Sequence, residues 1–186
     1  MSLRKAAAEG GAAFEDVRLT FPEWPAVKAS GAAPLGQLPF FETAGVTYTQ
    51  SIPISKYAAT LAGLYPAGEP LKALVSDEVV AVIDECWNKV GETSKDKPET
   101  RVKYAEEVAP KVLKLVETRI GDGEFLNGAA TPQWADLWVY QYVNMFTSGF
   151  FDHVPADFIK RHAPKVDALA ARVKASELYA KYGNPE

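Results

Sequence analysis

Apolar and polar positions alternate with two different periods along this chain, and the change of period divides it. Leu71, Leu74, Val75, Val79, Val82, Ile83, Cys86 and Val90 fall on one stripe at helical spacing, which predicts a long amphipathic helix. Gly91 to Pro98 interrupts the pattern. A second helix is predicted from about Thr100 to Ile120 on Val102, Ala105, Val108, Val112, Leu115 and Val116, ending at Gly121-Asp122-Gly123. The two would pack as an antiparallel hairpin, the first layer of an all-α bundle. Leu137 to Phe150 is dense in aromatics (Trp138, Tyr140, Tyr142, Phe146, Phe150, then Phe151), so most must be core, with some left to wall an apolar pocket. Pro155 to Lys174 supplies the remaining helices.

The N-terminal third reads differently. Gly36-Gln37-Leu38-Pro39-Phe40-Phe41-Glu42 and Val46 to Ser51 predict two short strands joined at Ala44-Gly45, the second delivering Gln50-Ser51 to a helix that ends near Leu61. Pro53 is tolerated in that helix's first turn. Residues 1 to 13, alanine-rich before Gly10-Gly11, read as a helix fragment. Ala62 to Pro70, holding Gly63, Pro66, Gly68 and Pro70, is the clearest linker. The expected domains are therefore residues 1–62 and 71–186.

The hairpin carries the candidate chemistry. Proline cannot donate to a ladder, so Leu38-Pro39 at the head of a strand leaves the Leu38 amide and carbonyl facing sideways, as a cis bond would arrange. Ser51 falls at the helix N-cap position, where free amides and the positive dipole end favour a carboxylate. Together these suit a ligand that is peptide-like and acidic; a plain hairpin capped by serine is the other reading. Trp24, between Pro22 and Pro25, is expected to be a fixed, partly exposed aromatic. Cys86 sits on the apolar side of its helix with no His or Arg within a turn to lower its pKa, which makes it a small core residue rather than a nucleophile.

Composition narrows the class. With 186 residues, 47% hydrophobic and 24% charged, the chain is ordinary globular material for one large domain or two small ones. A net charge of −4 argues against a nucleic-acid partner. A single cysteine rules out an intrachain disulfide and a cysteine metal cluster. His153 and His162 have no carboxylate at ligand spacing, so no metal site is expected. No apolar run reaches membrane-spanning length and the start lacks a signal-peptide core, so the expectation is a cytoplasmic protein without a membrane partner.

Phe14-Glu15-Asp16-Val17-Arg18, Trp24-Pro25-Ala26-Val27-Lys28, the Gln-Leu-Pro hairpin and its Gln50-Ser51 together resemble the glutathione transferases, most closely the sigma class, over nearly the whole chain. The resemblance implies an α+β fold: an incomplete thioredoxin-like N-terminal domain, then an all-α C-terminal domain. It implies glutathione as co-substrate, with no other cofactor. Leu38-Pro39 would pair with the cysteinyl backbone, Gln50-Ser51 would hold the γ-glutamyl carboxylate, and Trp24 and Lys28 would contact the glycyl end, with Gln37 alongside. Asp84 aligns with an aspartate that in sigma-class enzymes reaches across a homodimer to the γ-glutamyl amine; an exposed helix acid beside Glu85 is its bland alternative. Gly123 to Gly128 and Thr131 to Asp136 resemble the segment leading into the family's central helix. Its usual Ser or Thr cap is Gln133 here, which leaves Thr131 as the candidate cap and makes Asp136 a buried structural acid accepting local backbone amides.

One family feature is not found. The family's first strand ends in the tyrosine that hydrogen-bonds the glutathione sulfur, and by register on Phe14-Glu15-Asp16 that strand would precede Met1. Tyr48, the first tyrosine, lies in the hairpin, and Ser2 falls in a helix register, so no catalytic residue is assigned. The absent strand is central in the order 2-1-3-4, so strands over Phe14–Thr20 and Phe40–Thr43 would each show unpaired backbone groups. Three arrangements resolve this: a truncated sequence, which the vector-like Met-Ser-Leu start favours; residues 1 to 13 refolded as a substitute strand, disfavoured by their alanine and glycine; or two chains completing each other's sheets. The expected function is conjugation of glutathione to small apolar electrophiles, impaired in this chain. The alternative is a non-catalytic glutathione binder or scaffold. Isomerisation of a prostaglandin-type endoperoxide is selected by no residue.

Overall fold

A computed structural model describes residues 14–182. The helix fragment expected over residues 1 to 13 lies outside them. The chain forms two compact units, one reaching to Tyr65 and the other starting at Pro66.

In the first unit, residues 14–20 have no regular structure, where the sequence predicts a strand. The reason is physical: a strand needs a ladder partner, and among the described residues none lies beside this segment. Its backbone stays in water instead of being buried unpaired. Val17 is accordingly 69% exposed. Helix α1 follows at Trp24–Ala29, started by Pro25 in its first turn. Glu23 secures its entrance, accepting bonds from the Thr20 N–H and hydroxyl, both at 2.7 Å. Those bonds hold the Glu23 carboxyl below the usual carboxylate range.

Strands β1 (Phe40–Thr43) and β2 (Val46–Thr49) pair antiparallel, Phe40 opposite Thr49 and Thr43 opposite Val46. The turn between them needs positive φ at both central residues, Ala44 (50°) and Gly45 (75°), the combination that matches strand twist in a two-residue hairpin. Helix α2 (Ser51–Leu61) packs on both strands, burying Ile54, Ser55, Ala58 and Ala59, with the Tyr57 ring 5.9 Å from that of Phe41.

The second unit is all helical: α3 (Pro70–Gly91), α4 (Pro98–Glu107), α5 (Ala109–Ile120), a 3-10 turn at Leu126–Gly128, α6 (Trp134–Thr147), α7 (Phe158–His162), α8 (Pro164–Ala175) and α9 (Glu177–Tyr182). The single helix expected from Thr100 to Ile120 is two. Pro110 has no N–H for the Glu106 carbonyl and its ring would strike that carbonyl, so the helix breaks at Val108 and restarts. Leu71 and Leu74, expected on the buried stripe of α3, are 80% and 63% exposed, whereas Val79, Ile83, Cys86 and Val90 are buried as predicted.

Helix α6 is the centre of this unit, packed by α3 and α8. Phe146 touches Tyr142, Phe151 and Phe158, stacking on the last at 5.5 Å. The Tyr104 and Tyr142 hydroxyls meet at 3.0 Å inside the core. Arg119 of α5 grips Glu78 of α3 with two parallel bonds, which hold the Glu78 carboxyl low.

Gln133, not Thr131, is the N-cap of α6. Its extended backbone turns its N–H onto Asp136 Oδ2 at 2.8 Å, while Oδ1 accepts the Leu126 N–H at 3.0 Å. Asp136 is 0% exposed, so it is the buried structural acid expected. Burial pushes its carboxyl up to about 7 against the opposing pull of the two N–H donors.

Candidate functional site

The hairpin register builds the candidate site. Because Phe40 pairs with Thr49, the residue before β1 and the residue after β2 are neighbours, so Pro39 comes alongside Gln50. The Leu38–Pro39 peptide is cis, as the sequence suggests. Leu38 lies outside the ladder and is 53% exposed, and neither its amide nor its carbonyl has a partner among the described residues. One edge of the site is thus a free donor and acceptor pair from a single residue, the pattern that an extended peptide backbone can match.

The other edge is the start of α2. Ser51 is the first helical residue and not the N-cap; the cap position belongs to Gln50, at φ 74° and ψ 125°. The shift of one residue follows from that left-handed backbone, which a glutamine adopts only under local constraint. It turns the chain sharply, so the Ser51 and Ile52 amides begin the helix without intrahelical partners, the first intrahelical bond being Ile54 N–H to the Gln50 carbonyl. The Ser51 hydroxyl has no partner among the described residues and sits half-buried beside them. Two amides, one hydroxyl and a helix dipole converge there, a carboxylate-binding arrangement in water-accessible surroundings.

Trp24 and Lys28 lie one turn apart on α1, hence on one face. Trp24 is half-buried and Lys28 exposed. The lysine stem runs over the turn at Gly36, directly before Gln37, which is exposed. The first unit therefore brings Lys28, Gln37, Leu38, Pro39, Gln50 and Ser51 onto consecutive pieces of chain joined by one turn and one hairpin. Asp84 belongs to the second unit, half-buried on α3, with no partner among the described residues. Two contributors escaped the sequence reading. Gly36 carries Lys28, and no pattern marks that. Glu23 holds the entrance of α1, and Thr20-x-x-Glu23 has the spacing of a capping box, a usable signal.

Cys86 is buried, its thiol pushed up mainly by that burial although Tyr104 hydrogen-bonds it. It has no nucleophile's environment. Among the described residues no group of His, Cys, Asp and Glu could hold a metal ion, and no helix is long and apolar enough to cross a membrane.

Comparison with known proteins gives this geometry a context. The sequence pattern described as "Glutathione S-transferase, C-terminal domain" matches residues 82–186. The hematopoietic prostaglandin D synthase of Gallus gallus is 30% identical over 174 residues, 90% of this chain and 81% of the relative. Glutathione S-transferase S1 of Drosophila melanogaster is 34% identical over 153 residues, 76% of this chain and 59% of the relative. Among solved structures, rat hPGDS complexed with a quinoline superposes with a TM-score of 0.80 at 24% identity, over 100% of this chain and 91% of that one. The Fasciola hepatica sigma class enzyme does so with 0.79 at 18%, over the same shares.

The chain belongs to the glutathione S-transferase family, whose co-substrate is glutathione. Its fold is that family's: a thioredoxin-like unit whose described residues form a two-stranded sheet, and an all-helical second unit.

Proposed function

We propose that this chain is a sigma-like glutathione transferase that binds glutathione through Leu38-Pro39, Gln50-Ser51, Gln37, Trp24 and Lys28 and conjugates it to small apolar electrophiles. The observation that carries the reading is the register that sets the free Leu38 backbone beside the open start of α2. The Leu38 amide and carbonyl pair with the cysteinyl residue, the Ser51 hydroxyl and amides take the γ-glutamyl carboxylate, and Lys28 and Trp24 take the glycyl end. Asp84 contacts the γ-glutamyl amine of a partner subunit.

In conjugation the glutathione thiol gives its proton to solvent, and the thiolate then forms an S–C bond to an electrophilic carbon as a leaving group departs with its bonding pair (chloride, for chlorodinitrobenzene) or as a π pair shifts onto the neighbouring atom. A free thiol has a pKa near 8.5, so lowering it by two units requires about 2.7 kcal/mol of preferential stabilisation of the thiolate. In the hairpin the sole tyrosine is Tyr48, 49% exposed on β2, and we assign it no part in activating the thiol. We therefore infer strong retention of glutathione binding relative to thiol activation, and weak turnover. Steady-state conjugation with chlorodinitrobenzene tests this: rates comparable with those of other family enzymes would refute the impairment, and absence of glutathione binding would refute the whole reading.

Assembly into a homodimer is part of the proposal. It is supported by Leu71 and Leu74, large apolar side chains exposed one turn apart on the first turns of α3, which a partner surface would cover. A prostaglandin isomerase reading has no residue in its favour.

A further inference from the structure

Seven glycines among the described residues have positive φ, and they differ in one respect. At Gly31, Gly45, Gly63, Gly121, Gly128 and Gly149, a Cβ would meet nothing within 4 Å. At Gly36, with φ 59°, it would lie 3.1 Å from Cε of Lys28, 3.8 Å from Cγ and 4.0 Å from Cδ. The other six need glycine for backbone conformation alone. Gly36 needs it for that and for the side chain laid across it.

The backbone is fixed on both sides of this contact. The Gly36 N–H closes a turn onto the Ala33 carbonyl at 2.8 Å, and Ala33 is buried, so the glycine is pinned from below. Lys28 comes from the last turn of α1, whose end is tied by Ser30 Oγ to the Val27 carbonyl at 2.8 Å. The lysine ammonium has no partner among the described residues. Its aliphatic stem lies along a bare backbone shelf, immediately before Gln37-Leu38-Pro39, and its charged end has no partner among the described residues.

We propose that Gly36 is a positioning residue: the absence of a side chain there lets the Lys28 stem lie flat and aims its ammonium at the terminal carboxylate of the bound tripeptide, so that Gly36 sets the preference for glutathione over γ-glutamylcysteine, which lacks the glycine and its carboxylate. This rests on the glutathione reading above. It assigns Gly36 no contact with the ligand; its effect passes wholly through Lys28. A lysine free to wander pays rotamer entropy on binding, and a lysine already laid against the shelf pays less.

The test measures the affinities of the full chain for glutathione and for γ-glutamylcysteine by calorimetry, in wild type, Gly36→Ala, Lys28→Met, the double variant and Gly63→Ala. An exposed ion pair to a carboxylate corresponds to a ratio of roughly three- to fivefold in favour of glutathione. Gly36→Ala is expected to reduce that ratio towards one while leaving γ-glutamylcysteine affinity unchanged. Lys28→Met is expected to do the same, and the double variant to lose no more than Lys28→Met alone. Gly63→Ala carries the strain of a left-handed alanine without the contact and is expected to keep the ratio. Circular dichroism and the γ-glutamylcysteine affinity report whether Gly36→Ala has kept its fold, and Lys28→Met tests the same arm without touching the backbone. A ratio that survives Gly36→Ala but falls in Lys28→Met overturns the positioning role and leaves the glutathione reading intact. A wild type that binds neither peptide overturns both.

Discussion

Removing the Asp136 carboxylate should unfasten the start of the central helix. In Asp136→Ala two backbone donors lose their acceptor together. The Leu126 N–H is fully buried and has no water to turn to, a loss of about 1–3 kcal/mol. The Gln133 N–H is half-buried and loses about 1 kcal/mol, because solvent replaces part of the bond. The total, about 2–4 kcal/mol, is a large share of the stability of an ordinary domain. For a chain of this length it lowers the melting temperature by about 4–16 °C. Asp136→Asn should lose about half as much, since one amide oxygen can serve one donor while its NH2 faces the other. Urea unfolding followed by circular dichroism, with a thermal scan on the same samples, reads both. A loss below about 0.5 kcal/mol in Asp136→Ala would refute the claim that these two bonds anchor α6.

Other outcomes follow from the same structure. Asp136 is pushed up to about 7 in the fold against an ordinary 3.8, so between those values the native state holds more protons than the unfolded one. Its contribution is complete below pH 4 and is lost as pH rises through 7, so the stability gap between wild type and Asp136→Ala should be wider at pH 5 than at pH 8. A gap that widens with rising pH would mean that the two N–H donors outweigh burial. Ser51→Ala should weaken glutathione binding about fivefold to tenfold by calorimetry, with unchanged circular dichroism, since the hydroxyl has no partner among the described residues to lose. Leu74→Glu should convert a dimer to a monomer in light scattering; a wild type already monomeric would remove the dimer from the proposal.

What the sequence made legible was whatever depends on periodicity and on residues with one strong habit. The hairpin at Ala44-Gly45, the helix after Gln50, the break after Val90 and the cis-compatible Leu38-Pro39 all rest on glycine, proline or alternation. Asp136 was readable because its capping spacing is local. The failures have physical causes. Pro110 lies inside a helical stripe that reads as continuous, although its missing N–H alone demands the break. The segment over residues 14–20 has a strand's composition and no ladder partner among the described residues, and pairing is not a property of one segment. The helix start moved to Ser51 because Gln50 takes a left-handed backbone that its residue type does not advertise. Leu71 and Leu74 fit the stripe of α3 but lie where the unit offers nothing to cover them. The lysine on Gly36 is a tertiary contact across a turn, invisible to any one-dimensional pattern.

The most direct test is titration of glutathione into the full chain by calorimetry, with Ser51→Ala alongside. The account predicts saturable binding in the micromolar to millimolar range, weakened in the variant. No saturable heat in wild type, or the same affinity in wild type and Ser51→Ala, would contradict the claim that the Leu38 backbone and the start of α2 together form a glutathione cradle.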